Sequence, residues 1–569
     1  MRVYEAIVAG LEAVGVDAAF GGAGENAAGL MLALDDSKKI RPVIAKNEQG
    51  AAFMACGYAM FSNKLGVCFA TAGPGAFNLI SGVCVALTDS YPLLAITGYS
   101  TMEWTGRGGL NETSGLNRTP DSQKVFDAMT KANFLIKDID EVADTLQQAI
   151  DIAFDGRHGP VHIAVAEDIT DPSIKIEDFE PPVLNVRPVV PDPDRVADTA
   201  AFLIDAVRDG KKVVLLVGFG AILARANREV LDFIERYQIP LITTLDGKGI
   251  VDESHPLAIG VFADSGHKSA WELFLDSDVV VGLGNSFAQH ATFDFRDDLF
   301  ENRKLVHIDV DANQIDKVYK ADRAIIGDAR LAISGLADAM SVLGRIPPKT
   351  YRAPDFDEQR VIKFTPKLHP GQLSQAISKM LPPRGVVLAD AGAHLAWLGY
   401  YLELKDGQNF RKPGTYGPMG IGVCGAIGVK YQDMDRPVVA AVGDGSYLMS
   451  GFELMTAVEH NIPVVWVIFN DGEFKLIKLY QLSAFLKTGL VEFPNPDYVA
   501  YARACGADGY SVDRIGDFED AFQAALDSGR PTLIDARITR LALPNYSPNP
   551  EGVLAGVFER ISSRFRGGD

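Results

Sequence analysis

Gly443-Asp444-Gly445-Ser446 and, further on, Asn470-Asp471-Gly472 bracket the stretch whose reading decides the fold. Ahead of it, Pro437-Val438-Val439-Ala440-Ala441-Val442 is a short apolar run of the kind that forms a buried parallel strand. From Ser450 to Asn461 the spacing predicts a helix, with Phe452, Leu454, Met455 and Val458 as its apolar positions and Ser450 as its N-cap. Pro463 to Phe469 reads as the next strand. The whole is a βαβ unit that puts Asp444 and Asn470 at the carboxyl ends of two parallel strands, the edge at which open α/β sheets bind ligands. A carboxylate, an amide oxygen and a free backbone carbonyl near Gly472 suit a hard divalent cation, Mg²⁺ above all, whose other ligands are phosphate oxygens and water. Gly443 and Gly445 let backbone N–H groups approach those phosphates.

Composition narrows the class. A chain of 569 residues, 47% hydrophobic and 22% charged, is too long for one core and predicts two to four domains. A net charge of −20 argues against nucleic acid and against an anionic membrane surface as partners. The five cysteines fall in apolar segments without metal-site spacing, as core residues in a reducing compartment do. Met1 to Val16 has an amphipathic helix pattern rather than that of a signal peptide, and no 18-residue apolar run occurs, so a cytoplasmic protein is expected.

Prolines mark the joints. Pro181, Pro182, Pro188, Pro191 and Pro193 form one patternless stretch, and Pro347, Pro348 and Pro354 a second. They divide the chain into domains over 1–180, 190–345 and 360–569. Each alternates apolar strands with helical patterns, which predicts three α/β domains with doubly wound parallel sheets. Strands are expected near Ala18–Phe20, Val43–Ala45, Leu65–Ala70 and Leu93–Thr97, then Lys212–Val217, Pro240–Thr243, Val279–Gly282 and Leu305–Val310, and finally Gly385–Ala389, Val438–Val442, Val464–Phe469 and Thr532–Asp535.

Gly-Asp-Gly followed at this distance by Asn resembles the signature of the thiamin-diphosphate (ThDP) enzymes, and other motifs fall in register with it. Lys46-Asn47-Glu48-Gln49-Gly50 opens a helix that continues to Gly57-Tyr58-Ala59. The resemblance implies that Glu48 hydrogen-bonds the cofactor's pyrimidine ring and favours its imino form. Gly73-Pro74-Gly75-Ala76-Phe77-Asn78 resembles the family's Gly-Pro-Gly-x-x-Asn loop. With Gly24 of the Gly22–Ala27 loop, Pro74 and Asn78 would line the pyrimidine and substrate side. Asp390-Ala391-Gly392-Ala393-His394 resembles the loop at the diphosphate, giving Gly392 and His394 that place. Gly417-Pro418-Met419-Gly420 resembles the turn whose Met props the cofactor in its bent form, and Leu476 would add a second apolar contact. Gly443, Asp444, Gly445, Ser446, Asn470 and Gly472 would hold the diphosphate, with Asp444, Asn470 and Gly472 on the metal.

Further marks, among them His307-Ile308-Asp309-Val310-Asp311 and Asn495-Pro496-Asp497, resemble the acetolactate-synthase-like branch. The implied chemistry makes or breaks a C–C bond next to a carbonyl: a 2-oxo acid loses CO₂, and the remaining fragment takes a proton or attacks an acceptor carbonyl. All nine histidines lie after residue 157, unlike the pyruvate, benzaldehyde and benzoylformate enzymes, which carry one earlier. The synthase glutamine has no clear counterpart; Glu25, Asn117 and Gln123 are candidates for acceptor binding and proton handling. In relatives the central domain binds FAD, ADP or nothing. Gly218-Phe219-Gly220, Gly266-His267 and Asp309 suit a nucleotide crevice, whereas Gly284 to Gln289 lacks the Arg-rich continuation of FAD-binding synthases. A 2-hydroxyacyl-CoA lyase or oxalyl-CoA decarboxylase type is the alternative reading, and a non-catalytic regulatory relative a third. A NAD-dependent dehydrogenase is disfavoured by incomplete glycine fingerprints. The resemblance also implies a homodimer or homotetramer with sites at subunit interfaces. The tail Tyr546–Gly552 is read as a closing lid or a polar surface segment.

Overall fold

The computed structural model describes residues 1–62, 64–262, 264–351 and 367–543. Three six-stranded parallel sheets follow one another along the chain. The first holds β1 (Ala18–Gly21), β2 (Arg41–Ile44), β3 (Gly66–Ala70), β4 (Leu93–Tyr99), β5 (Ala132–Ile136) and β6 (Pro160–Ala166), in the order β2-β1-β3-β4-β6-β5. The second holds β7 (Val213–Val217), β8 (Leu241–Thr243), β9 (Ala258–Val261), β10 (Val279–Leu283), β11 (Lys304–Asp309) and β12 (Arg323–Ile326), in the order β12-β11-β10-β7-β8-β9. The third holds β13 (Val386–Ala389), β14 (Asn409–Arg411), β15 (Val438–Gly443), β16 (Val465–Asn470), β17 (Asp508–Val512) and β18 (Thr532–Arg537), in the order β14-β13-β15-β16-β18-β17. Helices join successive strands, the arrangement that buries both faces of a parallel sheet.

The sheets are not three copies of one plan. Strand for strand, the first and third share one order, while the central sheet has the dinucleotide-fold order. Six strands lie outside those expected from sequence, and five of them, β5, β9, β12, β14 and β17, are sheet edges. An edge strand has one neighbour and can carry polar residues, so it lacks the unbroken apolar run that marks a central one. The sixth, β6, contains His162, which is buried, stacks on Phe126 at 3.7 Å between ring centroids, and bonds Thr97 and Asn133.

The segment after Asp444 also differs from expectation. The helix begins at Asp444 and ends at Ser450; a 3-10 turn (Gly451–Glu453), which Ser450 precedes at the N-cap position without a side-chain capping bond, and a second helix (Leu454–Glu459) follow. Leu454 is buried, but Phe452 and Met455 are 38% and 46% exposed. The break at Gly451 turns those two side chains outward.

The first and third domains are packed directly on each other. The helix Glu48–Ser62 crosses the helix Ile421–Gln432, in which every residue from Ile421 to Tyr431 is buried. The crossing depends on glycine. A Cβ on Gly57 would lie 2.1 Å from the Gly425 carbonyl oxygen, and one on Gly428 would lie 1.9 Å from that of Met54. One hydrophobic cluster therefore runs through both domains, taking in Phe53, Met54 and Tyr58 on one side and Ile421, Cys424 and Ile427 on the other. Burying each such large side chain contributes roughly 1.5–3 kcal/mol. The central domain is fastened to the third through buried Glu253, which pairs with Lys248 of its own domain at 2.6 Å and accepts the Leu404 N–H of the third at 2.8 Å. All three domains meet at Arg411, which is buried with its guanidinium 5.3 Å from the Phe61 ring and 5.5 Å from the Phe219 ring.

Candidate functional site

The residues singled out by sequence collect at the carboxyl edges of the first and third sheets. In the first domain Gly24 follows β1, Glu48 follows β2, and Pro74 and Asn78 follow β3. In the third, Gly392 and His394 follow β13, Gly417 and Met419 follow β14, Gly443 to Ser446 close β15 and open the next helix, and Asn470 ends β16. Equivalent strands thus carry the two sets.

Glu48 is half-buried at the start of its helix, with Gly22 and Gly75 against its side chain. Its Oε2 accepts a hydrogen bond from Asn78 Nδ2 at 2.9 Å. Pro74–Asn78 is a short helix with Pro at its first position, where a missing N–H costs nothing.

In the third domain Asp444 and Asn470 are brought together. Asp444 Oδ1 accepts the Gly445 N–H at 2.8 Å and Oδ2 the Gly472 N–H at 2.7 Å. Asn470 Nδ2 donates to Asp535 at 2.7 Å, which fixes the amide and turns its oxygen toward Asp444. One further group spans the pair: Asn495 Nδ2 donates to Asp444 Oδ2 at 2.7 Å and to Asn470 Oδ1 at 2.8 Å. Two oxygens that share one donor are close enough to share one cation, and an all-oxygen set is what a hard divalent ion takes. Burial raises the Asp444 carboxyl above its usual range. Asp471, beside it, is pushed up to about 7, mainly by burial and then by the Asp444 charge.

The carbonyl of Gly472 is not free, contrary to expectation. It accepts from the Phe493 N–H at 3.1 Å and from Arg540 Nη2 at 3.2 Å. A left-handed turn at Gly472 (φ +67°) brings that carbonyl against residues that follow the helix Lys475–Phe485.

His394 is buried at the start of its helix, and its Nε2 has no hydrogen-bond partner among the described residues. Burial lowers its pKa to about 4 against an opposing hydrogen bond to the Asp390 backbone, so the ring is neutral and carries a single N–H. Its Nδ1–Cε1 edge lies against Gly392 and Gly443, which places the imidazole at the same sheet edge as Asp444. Ser446 is buried, and its hydroxyl donates to the Ala391 carbonyl at 3.1 Å. Gly417 has a left-handed backbone (φ +60°), Met419 is half-buried, and Leu476 is 42% exposed.

Asn117 and Gln123 are not brought to this edge by any contact. Asn117 is exposed in a left-handed turn, its amide held by the Gly106 carbonyl. Gln123 is bonded by Asn133 at the amino-terminal end of β5, away from the carboxyl ends that carry Glu48 and Pro74. Glu25 is exposed in a 3-10 turn. In the central domain the nucleotide expectation meets engaged donors: Gly218 N–H bonds the Leu283 carbonyl and Gly220 N–H that of Gly284, both at 2.9 Å. His267 is buried with its Nδ1 accepting from Val261, and Asp309 caps its own loop at Asp311. The tail read as a lid lies outside the described residues.

Three acids that organise the site went unassigned from sequence. Asp390 is fully buried and accepts the N–H groups of Ala391, Gly420 and Gly422, tying the His394 loop to the Met419 turn; burial raises its pKa to about 7. Asp89 accepts the Gly414 N–H, and Glu453 those of Lys46 and Asn47. The signal for each was an acid inside a run of apolar or small residues.

Comparison with known proteins now decides the family. Residues 1–118 match the N-terminal TPP binding domain of thiamine pyrophosphate enzymes, 200–336 their central domain and 390–536 their C-terminal TPP binding domain. A "probable acetolactate synthase large subunit" of Methanocaldococcus jannaschii is 32% identical over 99% of this chain and 96% of its own. The chain belongs to the thiamine pyrophosphate enzymes. It sits in their acetolactate-synthase-like branch, since an acetolactate synthase large subunit of Corynebacterium glutamicum is 30% identical over 94% of this chain and 86% of its own. An acetolactate synthase of Arthrospira platensis is 28% identical over 89% and 88%. In a thiamine pyrophosphate enzyme this arrangement divides the work: the first domain offers a carboxylate and an amide, the third an oxygen pair and a buried neutral imidazole.

Proposed function

We propose that this enzyme uses ThDP and Mg²⁺ to decarboxylate a 2-oxo acid and join the remaining fragment to an acceptor carbonyl, as an acetolactate synthase does. The observation that carries the reading is the Asp444–Asn470 oxygen pair lying on the same sheet edge as His394 Nε2. When bound, ThDP supplies the electron sink for breaking the bond next to the carbonyl, and the metal neutralises its diphosphate. Asp444 and Asn470 hold the cation, with the Gly472 carbonyl as a third ligand in competition with Arg540. His394 contacts the diphosphate; Gly392, Gly443, Gly445 and Ser446 shape its seat. Met419 and Leu476 give apolar support, and Gly417 sets the turn. Glu48, oriented by Asn78, handles the pyrimidine-ring proton, and Gly24 and Pro74 flank it. The domain limits 1–180, 190–345 and 360–569 remain our assignment.

We assign the assembly as a homodimer or homotetramer. Leu448, Met449, Phe452 and Met455, just past Asp444, form an exposed apolar face that a second copy would cover. A cytoplasmic location fits five cysteines without disulfides. No helix among the described residues is long and apolar enough to cross a membrane. FAD or ADP in the central domain, and with it a CoA-type substrate, is disfavoured by the engaged N–H groups of Gly218 and Gly220.

The test is product analysis of the purified protein with pyruvate, ThDP and Mg²⁺. Acetolactate is the expected product. ThDP uptake without pyruvate turnover would shift the donor to a larger 2-oxo acid or a 2-hydroxyacyl thioester. No ThDP uptake at all would sink the reading.

A further inference from the structure

Glu48 does its work only if the backbone that carries it is held in place, and the structure shows what holds it. Lys46 and Asn47 connect β2 to the Glu48 helix. Their N–H groups point at an acid from another domain. Lys46 N–H lies 3.0 and 3.2 Å from the two carboxylate oxygens of Glu453, and Asn47 N–H donates to Glu453 Oε1 at 3.0 Å. Thr456 Oγ1 donates to Glu453 Oε2 at 2.6 Å. Glu453 is 0% exposed, so water does not compete for it. Gly50, one turn into the Glu48 helix, makes room: a Cβ there would lie 2.5 Å from Glu453 Oε1.

Burying a carboxyl is unfavourable, and burial does raise this one above its usual range. Three donors, one of them shared between both oxygens, offset that, and an apolar residue would fill the same space without the cost. The acid's distinct property is reach: it bonds the two N–H groups directly before Glu48 from a segment nine residues beyond Asp444. A capping residue on its own helix would not do this.

We propose that Glu453 is a positioning residue for Glu48, fixing the Lys46–Asn47 turn and linking it to the segment that carries the metal ligand Asp444. The inference rests on the ThDP reading of Glu48. It predicts that disturbing Glu453 slows loss of the ThDP C2 proton, which Glu48 promotes, while leaving ThDP affinity intact.

The experiment measures ThDP affinity and the rate of hydrogen–deuterium exchange at C2 of bound ThDP, with Mg²⁺, in the full-length protein. E453A removes the acceptor. G50A leaves the acid in place but pushes its carboxylate aside. E453Q keeps an oxygen for both N–H groups and can donate to Thr456. Expected are wild-type affinity throughout, exchange about 100-fold slower in E453A and G50A, and exchange close to wild type in E453Q. Wild-type exchange rates in G50A with ThDP bound would overturn the proposal. So would affinity falling in step with exchange, or E453Q as slow as G50A. G50A and E453Q decide the matter even if E453A does not fold. A wild-type protein that takes up no ThDP would instead overturn the parent reading, a result distinct from slow exchange on bound cofactor.

Discussion

The first and third domains are built to one plan and grip each other in mirrored fashion. Each has the same strand order, and the helix after the second strand of one crosses its counterpart in the other. Each sends an acid from the crossover between its third and fourth strands to the other's loop after the second strand. Glu453 of the third domain takes the N–H groups before Glu48, and Asp89 of the first takes the Gly414 N–H shortly before Met419. The chemistry is not mirrored. After β2 stands an acid; after β14, at the matching place, stands a turn ending in Met419. After β15 stands Asp444, the proposed cation ligand; after β3, at the matching place, stands Pro74. One scaffold used twice has been given different side chains at matching loop positions, and in the proposed function that asymmetry fits the first domain to the pyrimidine and the third to the diphosphate and its metal.

Four substitutions separate the tasks of the two domains. Glu48→Gln should have the largest effect: the protein folds and binds ThDP, but turnover falls by about 10³-fold, the contribution of a positioned proton-transfer group. Steady-state kinetics beside ThDP titration checks this, and full activity would remove the first domain's chemical role. Gly428→Ala attacks the shared crossing. Its new Cβ would sit 1.9 Å from a backbone oxygen, so destabilisation of about 3 kcal/mol is expected in denaturant unfolding. A neutral result would mean the two helices are free to part.

Asp444→Asn tests the third domain's separate task. It should weaken Mg²⁺-dependent ThDP binding by about 100-fold, near 2.7 kcal/mol, read by calorimetry at fixed Mg²⁺. Unchanged affinity would take the metal from this loop. The smallest effect is expected at Asp89→Asn. Burial raises the Asp89 carboxyl to about 6, against an ordinary 3.8, with Asp246 adding to the rise and the Gly414 N–H, Thr88 and Lys412 opposing it. Below about pH 4 the group is protonated whether the chain is folded or not. Between pH 4 and 6 the unfolded chain ionises it while the folded protein keeps it neutral, so stability falls as pH rises, and above 6 the loss is complete. Asparagine accepts the Gly414 N–H on its oxygen and can donate to the Thr88 hydroxyl, without titrating. The variant should therefore gain on wild type by about 2 kcal/mol between pH 4 and pH 7. Parallel stability curves across that range would show that Asp89 is not strained as the mirror image of Glu453.

Legibility from sequence followed burial. Central strands such as Val438–Gly443 and Val465–Asn470 are continuous apolar runs and could be read directly. Edge strands such as Asn409–Arg411 and Asp508–Val512 could not, because one open side tolerates polar residues. Asp444, Asn470 and Glu48 were legible because each closes or follows a recognisable strand. Asn495 was quoted as part of a motif, yet nothing local says that its amide spans Asp444 and Asn470. Gln123 was chosen by residue type, and no local pattern says that it bonds Asn133 beside β5.

The sequence alone determined the strand-and-helix alternation, the three domains and the residues that end on strand tips, since those depend on spacing along a few dozen residues. Only the tertiary structure decided which loops meet. Glu453 lies 407 residues from Lys46, and Asp89 lies 325 from Gly414. Contacts at that range leave no periodic trace, because their partners are chosen by how two finished domains pack around the glycines of a single helix crossing.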